Sequence, residues 1–538
     1  MRDIRPVLGS GRRQRRTRPA RVPAAGWWPF AEAAARRAFV GIAGLAAMAV
    51  LAAGCAAAPP ARPDTPEQPA APAPSTPSPG QAGTPDWQVT RPGPEHAIEG
   101  FADRTSVAPG QPVRLFVSTT TSSYTVTAFR IGAYTASDAL EVWASPPQPG
   151  RVQPAPFVDP PRNTVVAPWS PSLTVSTDRW QPGDYLFRLD ADDGSQRFVP
   201  LTVRTPSNAG RVLIVNAVTT WQAYNQYGGY SLYKGPDGRR ESRARAVSFD
   251  RPYEAHFLGA GQFLQFELPA LRVAERAGVP LGYATDIDLH ADPHLVDGAA
   301  AVLTLGHDEY WSPAMRRSIT AARDGGVNLA FLGGNEVYRR IRFEASSLGE
   351  NRVEVNYKSA AEDPAARTAP AEVTSDWRQP PDAQPESELT GNYYGCFPGR
   401  AALVVADPGS WLLQGLVSAG EAFPDVVGIE YAKVDLSVPT PRPLQVLFHS
   451  PVVCGSTKRA EFSDAVYYST PSGAGVFSTG TQDWVAGLDP AGIGGGNGGR
   501  VAQVLGAVTT RMLQQFAAGP AGRAHPAVDN LARLGIGP

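Results

Sequence analysis

The chain has 538 residues, enough for about two to four domains and a large apolar core. Its 49 basic and 50 acidic residues leave a net charge of −1, which excludes the broad electrostatic footprint of a nucleic-acid or anionic-membrane binder. Three cysteines exclude a disulfide-built scaffold, while 54 glycines and 53 prolines predict many loops and a proline-rich linker.

Residues 1–55 read as a targeting segment and stand outside any fold argument. Basic runs (GRRQRR, then ARRAF) precede an apolar stretch, residues 39–53, too short for a comfortable membrane span. The stretch ends in Leu51-Ala52-Ala53-Gly54-Cys55, which resembles a bacterial lipobox and makes Cys55 the expected lipidated N-terminus. Arg36-Arg37-Ala38-Phe39-Val40 resembles the core of a twin-arginine export signal, and the long basic lead before it fits a start codon further downstream. Residues 56–95 are rich in Pro and Ala, lack hydrophobic periodicity and read as a semi-extended tether. Together these features predict an exported lipoprotein held outside the cell membrane.

From residue 96 to 205 the pattern turns to short strands punctuated by turns. PGQPVRLFVSTT, SSYTVTAFRIG and PGDYLFRLDADDGSQRFVPLTV alternate or are β-rich, and Asp193-Gly194 is a hairpin turn. These predict a small antiparallel, immunoglobulin-like β-sandwich, read as a spacer or docking unit.

Residues 206–538 read as an α/β domain. RVLIVNAV, AAAVLTLG and VNLAFLGG are apolar throughout and separated by helical segments, the pattern of strands buried on both faces of a parallel sheet. Residues 261–278 carry Leu264, Leu268, Leu271 and Ala274 at helical spacing. Ser312-Pro313 opens another helix and Gly325-Gly326 closes it. Residues 344–440 lose periodicity and read as a loop-rich insert over the sheet; order returns with RPLQVLFHS, DAVYYST and GAGVFSTGTQDW, and a helix over 501–518 follows.

Ligands in parallel sheets bind beyond the carboxyl ends of the strands, and here those ends lead into TTWQAYNQYGGYSLY, HDEYWS and NEVYRR. Tyr224, Tyr227, Tyr230 and Tyr233 recur every third residue. One reading is an aromatic pad or sugar-stacking platform. The sharper one is a set of phenolate ligands, for which Fe(III) is the natural Lewis acid because a phenol otherwise keeps its proton to about pH 10. Glu309 or Glu336, from another strand end, completes a three-ligand set with open positions. A zinc site on His290, His294 and His307 has weaker spacing, since the two clusters stand on different strand ends. Cys396 and Cys454 read as a disulfide in an exported chain, against the alternative of a Cys nucleophile with His449 as base.

NAVTTWQAYNQYGGYSLY, SFDRPY, TDIDLHADP, GHDEYWS and GGNEVYRR, in this order over most of residues 208–529, resemble the C-terminal domain of the N,N-dimethylformamidase large (beta) subunit family. The resemblance implies a class I glutamine-amidotransferase-like (flavodoxin-like) domain preceded by a β-sandwich. It also implies one Fe(III) per chain, held by two tyrosine phenolates and a glutamate, that serves hydrolysis of a small tertiary amide. By motif the first phenolate is Tyr224 and the glutamate Glu309; the second phenolate falls on Tyr230, with Tyr227 and Tyr233 open as alternatives. His307 and Asp308 stand as acid–base or supporting groups and Asn335 as an oxyanion donor. The chain departs from the family pattern in its export signal, since the amidase is a soluble two-subunit enzyme. It also departs from the fold's usual Cys nucleophile, since Gly333-Gly334-Asn335-Glu336 offers Asn and Glu instead. A different class of function, a cell-surface module binding a glycan or peptide without metal, fits the same aromatic loop. These residues do not say which amide is the substrate or whether a small partner subunit exists.

If Cys55 is the lipidated residue, the protein will fractionate with membranes and Cys55→Ala will release it or block its processing. Unaltered protein recovered from the cytosol with residues 1–54 attached would refute the anchor.

Overall fold

The computed structural model describes residues 80–537 other than 381, 398 and 494–497. The export signal, the lipobox with Cys55 and the tether as far as residue 79 lie outside the described residues. No described helix is long and apolar enough to cross a membrane.

The N-terminal part is built from two sheets. One joins Ile98–Ala102, Val113–Thr119 and Leu173–Val175; the other carries Gln196–Val203, Gly183–Ala191, Ser123–Tyr134 and Ser137–Ala144 in that order. Alternate residues point inward, and Ile98, Leu115, Val117, Val126, Phe187, Leu189 and Leu201 meet in one core. The expected turn is present: Asp193 Oδ1 accepts from Ser195 N at 2.8 Å, closing the hairpin that pairs Asp190 with Gln196.

The second part holds a seven-stranded sheet. Its strands are β1 (Val212–Asn216), β2 (Leu281–Thr285), β3 (Ala301–Gly306), β4 (Asn328–Gly333), β5 (Leu444–Val453), β6 (Ala460–Ser469) and β7 (Gly475–Ser478). They lie in the order β2-β1-β3-β4-β7-β6-β5, parallel through β7 and antiparallel from there. Helices α1 (Val218–Tyr224), α2 (Leu268–Arg276), α3 (Asp286–Ala291), α4 (Pro313–Asp324) and α5 (Gly498–Ala517) flank it. Every residue of β1, β3 and β4 is buried, as their unbroken apolar runs require. The pleat then divides them between two cores. Ile214, Leu303, Leu305 and Leu332 pack with Leu271 of α2 and Val504, Val508 and Phe516 of α5; Val215, Val302, Leu329 and Phe331 pack with Leu289, Met315 and Ile319 on the opposite face. Ser312 caps α4 by accepting from Met315 N at 3.3 Å, and Pro313 occupies the first turn. The helix read over 261–278 is broken: a short turn at Phe263–Phe266 precedes α2, and Glu267 stands between them because its carboxylate is drawn to α1.

The sandwich is welded to the α/β part. Trp87, Phe129, Ile131, Leu186 and Phe198 enter the same core as Val212 and Trp221. Arg130 pairs with Glu275 at 2.8 Å, Tyr283 donates to that glutamate at 2.8 Å, and Arg204 pairs with Asp288 at 3.1 Å. The packing includes residues of the stretch read as tether: Gly83 N donates to Thr135 O at 3.1 Å and Thr84 N to Ala139 O at 2.7 Å.

Cys396 and Cys454 form a disulfide with Cα atoms 5.6 Å apart, while His449 bonds Asp464 at 2.6 Å and stacks on Phe462. The bridge joins the insert to β5 across 58 residues of sequence. In the chain-entropy account a loop of that length contributes about 4 kcal/mol by restricting the unfolded chain. Cys396→Ser with Cys454→Ser is therefore expected to lower the unfolding free energy by that order, read as a lower denaturant midpoint with an altered m-value, and an unchanged midpoint would count against a staple.

Candidate functional site

The site is assembled at the carboxyl ends of β1 and β3, neighbours in the sheet whose connections leave in opposite directions. Leaving β1, the chain turns directly into α1. The buried Glu267 carboxylate holds that turn by accepting from Ala217 N (3.1 Å), Asn216 Nδ2 (2.7 Å) and Trp221 Nε1 (2.8 Å). α1 runs from there to Tyr224. Leaving β3, Gly306 takes φ 59°, and a Cβ there would stand 2.3 Å from Phe266 O, so glycine is required. The next residues, His307, Asp308 and Glu309, are all buried. Thr220 of α1 ties the two ends together, its hydroxyl accepting from Glu309 N at 3.0 Å.

At the centre, one carboxylate oxygen gathers two phenols. Tyr224 OH donates to Glu309 Oε2 at 2.9 Å and Tyr233 OH donates to the same oxygen at 2.6 Å, with the two rings 4.3 Å apart. Arg339 Nε approaches the other oxygen, Oε1, at 3.2 Å and is itself paired with Asp376. Behind Tyr233, Tyr310 OH donates to its hydroxyl at 2.8 Å, and Lys358 Nζ donates to Tyr310 at 2.7 Å while lying 3.2 Å above the Tyr233 ring centre. On the other side, His307 Nε2 stands 3.4 Å from Glu309 Oε2 and 3.4 Å from Glu430 Oε2, closing a hydrogen bond with neither. Glu430 is held in turn by Gln482 Nε2 (2.8 Å), Asn335 Nδ2 (3.0 Å) and Tyr394 OH (3.0 Å).

The charges follow from this placement. Burial alone would raise the Glu309 pKa, but His307, Arg339 and Lys358 outweigh it and hold the group at about 2. Burial would lower His307, and the two glutamates instead push it up to about 10. Both phenols are driven well above their ordinary range, by burial first and then by the Glu309 charge. Beneath the site, burial pushes Asp308 up to about 7, and burial with the nearby Asp308 pushes Glu336 up to about 8.

The expected residues divide. Tyr224, Glu309 and His307 come together. The second phenol on Glu309 is Tyr233, one of the alternatives left open, and not Tyr230. The loop between them is drawn back by Leu232 N donating to Ala223 O at 2.9 Å, and that return lays the Tyr233 ring on Tyr224. Tyr230 packs at the edge of an apolar cluster, and Tyr227 turns to the sandwich, donating to Glu99 at 2.8 Å. Glu336 accepts from Thr304 at 3.1 Å, away from the phenols, and Asp308 is buried with neither carboxyl oxygen hydrogen-bonded. Asn335 spends its amide on Glu430. His290 bonds Ser312 at 2.8 Å and His294 pairs with Asp297 at the surface. Among the described residues no group of three or more His, Cys, Asp and Glu is arranged for a metal, a donor set that leaves tyrosine out. Sequence reasoning missed Glu430, Tyr394, Gln482 and Lys358, all outside the strand-end motifs.

The model of a family described as N,N-dimethylformamidase beta subunit-like, C-terminal, matches residues 125–498, beginning inside the sandwich. No curated protein matches the chain. Among solved structures, a cycloisomaltooligosaccharide glucanotransferase from Paenibacillus sp., complexed with cycloisomaltoheptaose, is 15% identical over 22% of this chain and 15% of that one, with a TM-score of 0.14. A likeness that slight carries no argument.

Tyr233→Phe removes a donor to a buried carboxylate and is expected to lower stability by about 1.5–3 kcal/mol, whereas Tyr230→Phe should stay within about 0.5 kcal/mol. Equal losses in thermal or denaturant unfolding would contradict the geometry. For His307, a raised pKa means that its stabilising charge is complete below about pH 6.5, the unfolded value, and fades as pH rises through about 10. Ring NMR of the metal-free protein should show an imidazolium at pH 8, and titration of that ring below pH 7 would overturn the assignment.

Proposed function

The chain belongs to the N,N-dimethylformamidase beta subunit-like family, and on that premise we propose that it is a metal-dependent amidohydrolase that cleaves the C–N bond of a small amide, with Tyr224, Tyr233 and Glu309 as ligands of one ferric ion. The observation that carries this reading is the convergence of two phenols on one oxygen of a buried carboxylate. All three are hard oxygen donors of the kind ferric iron prefers over softer metals. The phenols keep their protons in the chain alone, because Glu309 is charged and takes both hydrogen bonds. Tyr224, Tyr233 and Glu309 would hold the ion, the two tyrosines as phenolates, and when bound it would supply carbonyl polarisation and a water acidified to react near neutral pH.

The remaining steps fall to the chain's own groups. Glu430, fixed by Gln482, Asn335 and Tyr394, is placed to take the proton of an attacking water. His307, held as an imidazolium between two carboxylates, is placed to give a proton to the departing nitrogen. Turnover leaves Glu430 protonated and His307 neutral, and passage of that proton from Glu430 to His307 Nε2, 3.4 Å away, restores both groups. Asn335, with its amide on Glu430, acts by orienting that base.

The five parallel strands, in the order β2-β1-β3-β4-β7, support reading this part as amidotransferase-like and flavodoxin-like, with Asn335 and Glu336 where that fold carries its Cys. The LAAGC motif supports placing the enzyme outside the cytoplasm on a lipid anchor.

Phenolate-to-iron charge transfer absorbs visible light, so iron-loaded protein should be coloured and hold about one iron per chain, the number this three-donor set accommodates. Tyr224→Phe, Tyr233→Phe and Glu309→Ala should lose colour and iron, and Tyr230→Phe should keep both. Amine release from small formamides and acetamides should follow the same order. Glu430→Gln should keep the colour and lose at least about a hundredfold in kcat. A colourless protein whose melting ignores ferric ion would leave the surface binding module in place of the hydrolase.

A further inference from the structure

The motif SFDRPY (residues 248–253) and the β-sandwich take no part in the chemistry above, yet both grip the loop that carries the phenols. Arg251 is 1% exposed and has no hydrogen-bonded carboxylate among the described residues. Its guanidinium instead donates to three loop carbonyls, Asn225 O at 3.1 Å, Tyr227 O at 2.9 Å and Tyr230 O at 3.0 Å. Asn225 adds a second hold on the same motif, donating to Pro252 O at 2.9 Å and accepting from Glu254 N at 3.1 Å. The sandwich holds the middle of the loop: Tyr227 OH donates to Glu99 Oε1 at 2.8 Å, and Gly228, at φ 72°, lies so close that a Cβ would stand 2.6 Å from Val165. The motif is pinned to the sandwich as well, since Arg352 bonds Asp250 (2.8 Å), Phe249 O (2.8 Å) and Ala102 O (3.1 Å).

Between Tyr224 and Tyr233 the chain has only one short 3₁₀ turn, so regular secondary structure does not set the spacing of the two phenols. A buried cation directed at three carbonyls is an expensive way to hold an ordinary surface loop. It is well suited to a loop whose ends must place two hydroxyls on one oxygen. We propose that Arg251 and Glu99 are positioning residues for the Tyr224–Tyr233 pair, so that the β-sandwich is a working part of the site and not a spacer. The metal-binding arm of the test rests on the ferric reading above; the exchange arm does not.

The test uses the full chain with Arg251→Lys, which keeps the charge and loses the fork, Glu99→Ala, and Glu99→Gln, which keeps an acceptor for Tyr227. In metal-free protein, hydrogen exchange should quicken in residues 225–233 for Arg251→Lys and Glu99→Ala while the strands of the central sheet keep their protection. Glu99→Gln should restore the slow rates. Ferric ion, titrated by its visible absorption, should bind about tenfold to a hundredfold more weakly to the first two variants, the range typical of residues that orient metal ligands, and nearly normally to Glu99→Gln. Unchanged exchange in 225–233 for Arg251→Lys and Glu99→Ala would overturn the proposal, as would equal behaviour of Glu99→Ala and Glu99→Gln. If Arg251→Lys does not fold, the Glu99 pair decides. If the unaltered protein binds no ferric ion, the metal reading fails alone and the exchange result still stands.

Discussion

A carboxylate with 1% of its surface exposed keeps its charge only if the protein replaces the water it has lost. Glu309 is that carboxylate, and much of the surrounding structure can be understood as the replacement. Arg339 approaches one oxygen, the two phenols occupy the other, and His307 adds positive charge close by, while Lys358 lies beyond Tyr233 with its pKa held well below the ordinary lysine range by burial and by Arg339. Each of these comes from a different piece of chain: α1, the loop after it, the β3 end, the β4 end and the insert. None of them can be moved without leaving a buried charge uncompensated. The same need explains why Arg339 is itself tied to Asp376.

The acids just below behave differently, and the contrast shows how placement decides protonation. Asp308 neighbours Glu309 in sequence, yet its carboxyl has no hydrogen-bonded cation and burial drives its pKa up to about 7. Glu336, with one threonine donor, is driven up to about 8. The layer beneath the site is thus inclined to hold protons while Glu309 sheds its own. Two adjacent residues of one tripeptide, His307-Asp308-Glu309, alternate across the end of β3, and that alternation sends one carboxylate to the phenols and the other into the core.

The site also draws on parts that look peripheral in the fold. Tyr394 and Glu430 come from the insert, where Tyr393–Cys396 pairs with Tyr431–Lys433 and Cys396 is tied to β5. The disulfide therefore closes near the residues that face His307, so chain restriction in the insert bears on the geometry of Glu430. On the opposite side the sandwich holds Tyr227. The catalytic groups proposed here are clasped between two regions that have no strand in the central sheet.

The sequence by itself determined the parallel sheet, because unbroken apolar runs such as VLIVN and AVLTLG have no other stable place than a strand buried on both faces. It also determined where to look, since polar residues following such runs gather at one sheet edge, and it singled out Tyr224, Glu309 and His307. What it left open were Tyr227, Tyr230 and Tyr233, equally spaced in a loop without periodicity. Their difference depends on Arg251, Glu99 and the return of Leu232 to Ala223, contacts made by residues near and far that no local pattern encodes. Glu430 was invisible for the same reason: it stands alone in a segment without periodic signal, and only the folding of the insert onto β3 and β4 brings it within 3.4 Å of His307. Strand identity is a matter of local burial and can be read one segment at a time. The donor set is a matter of distances between segments, and those exist only once the chain has closed on itself.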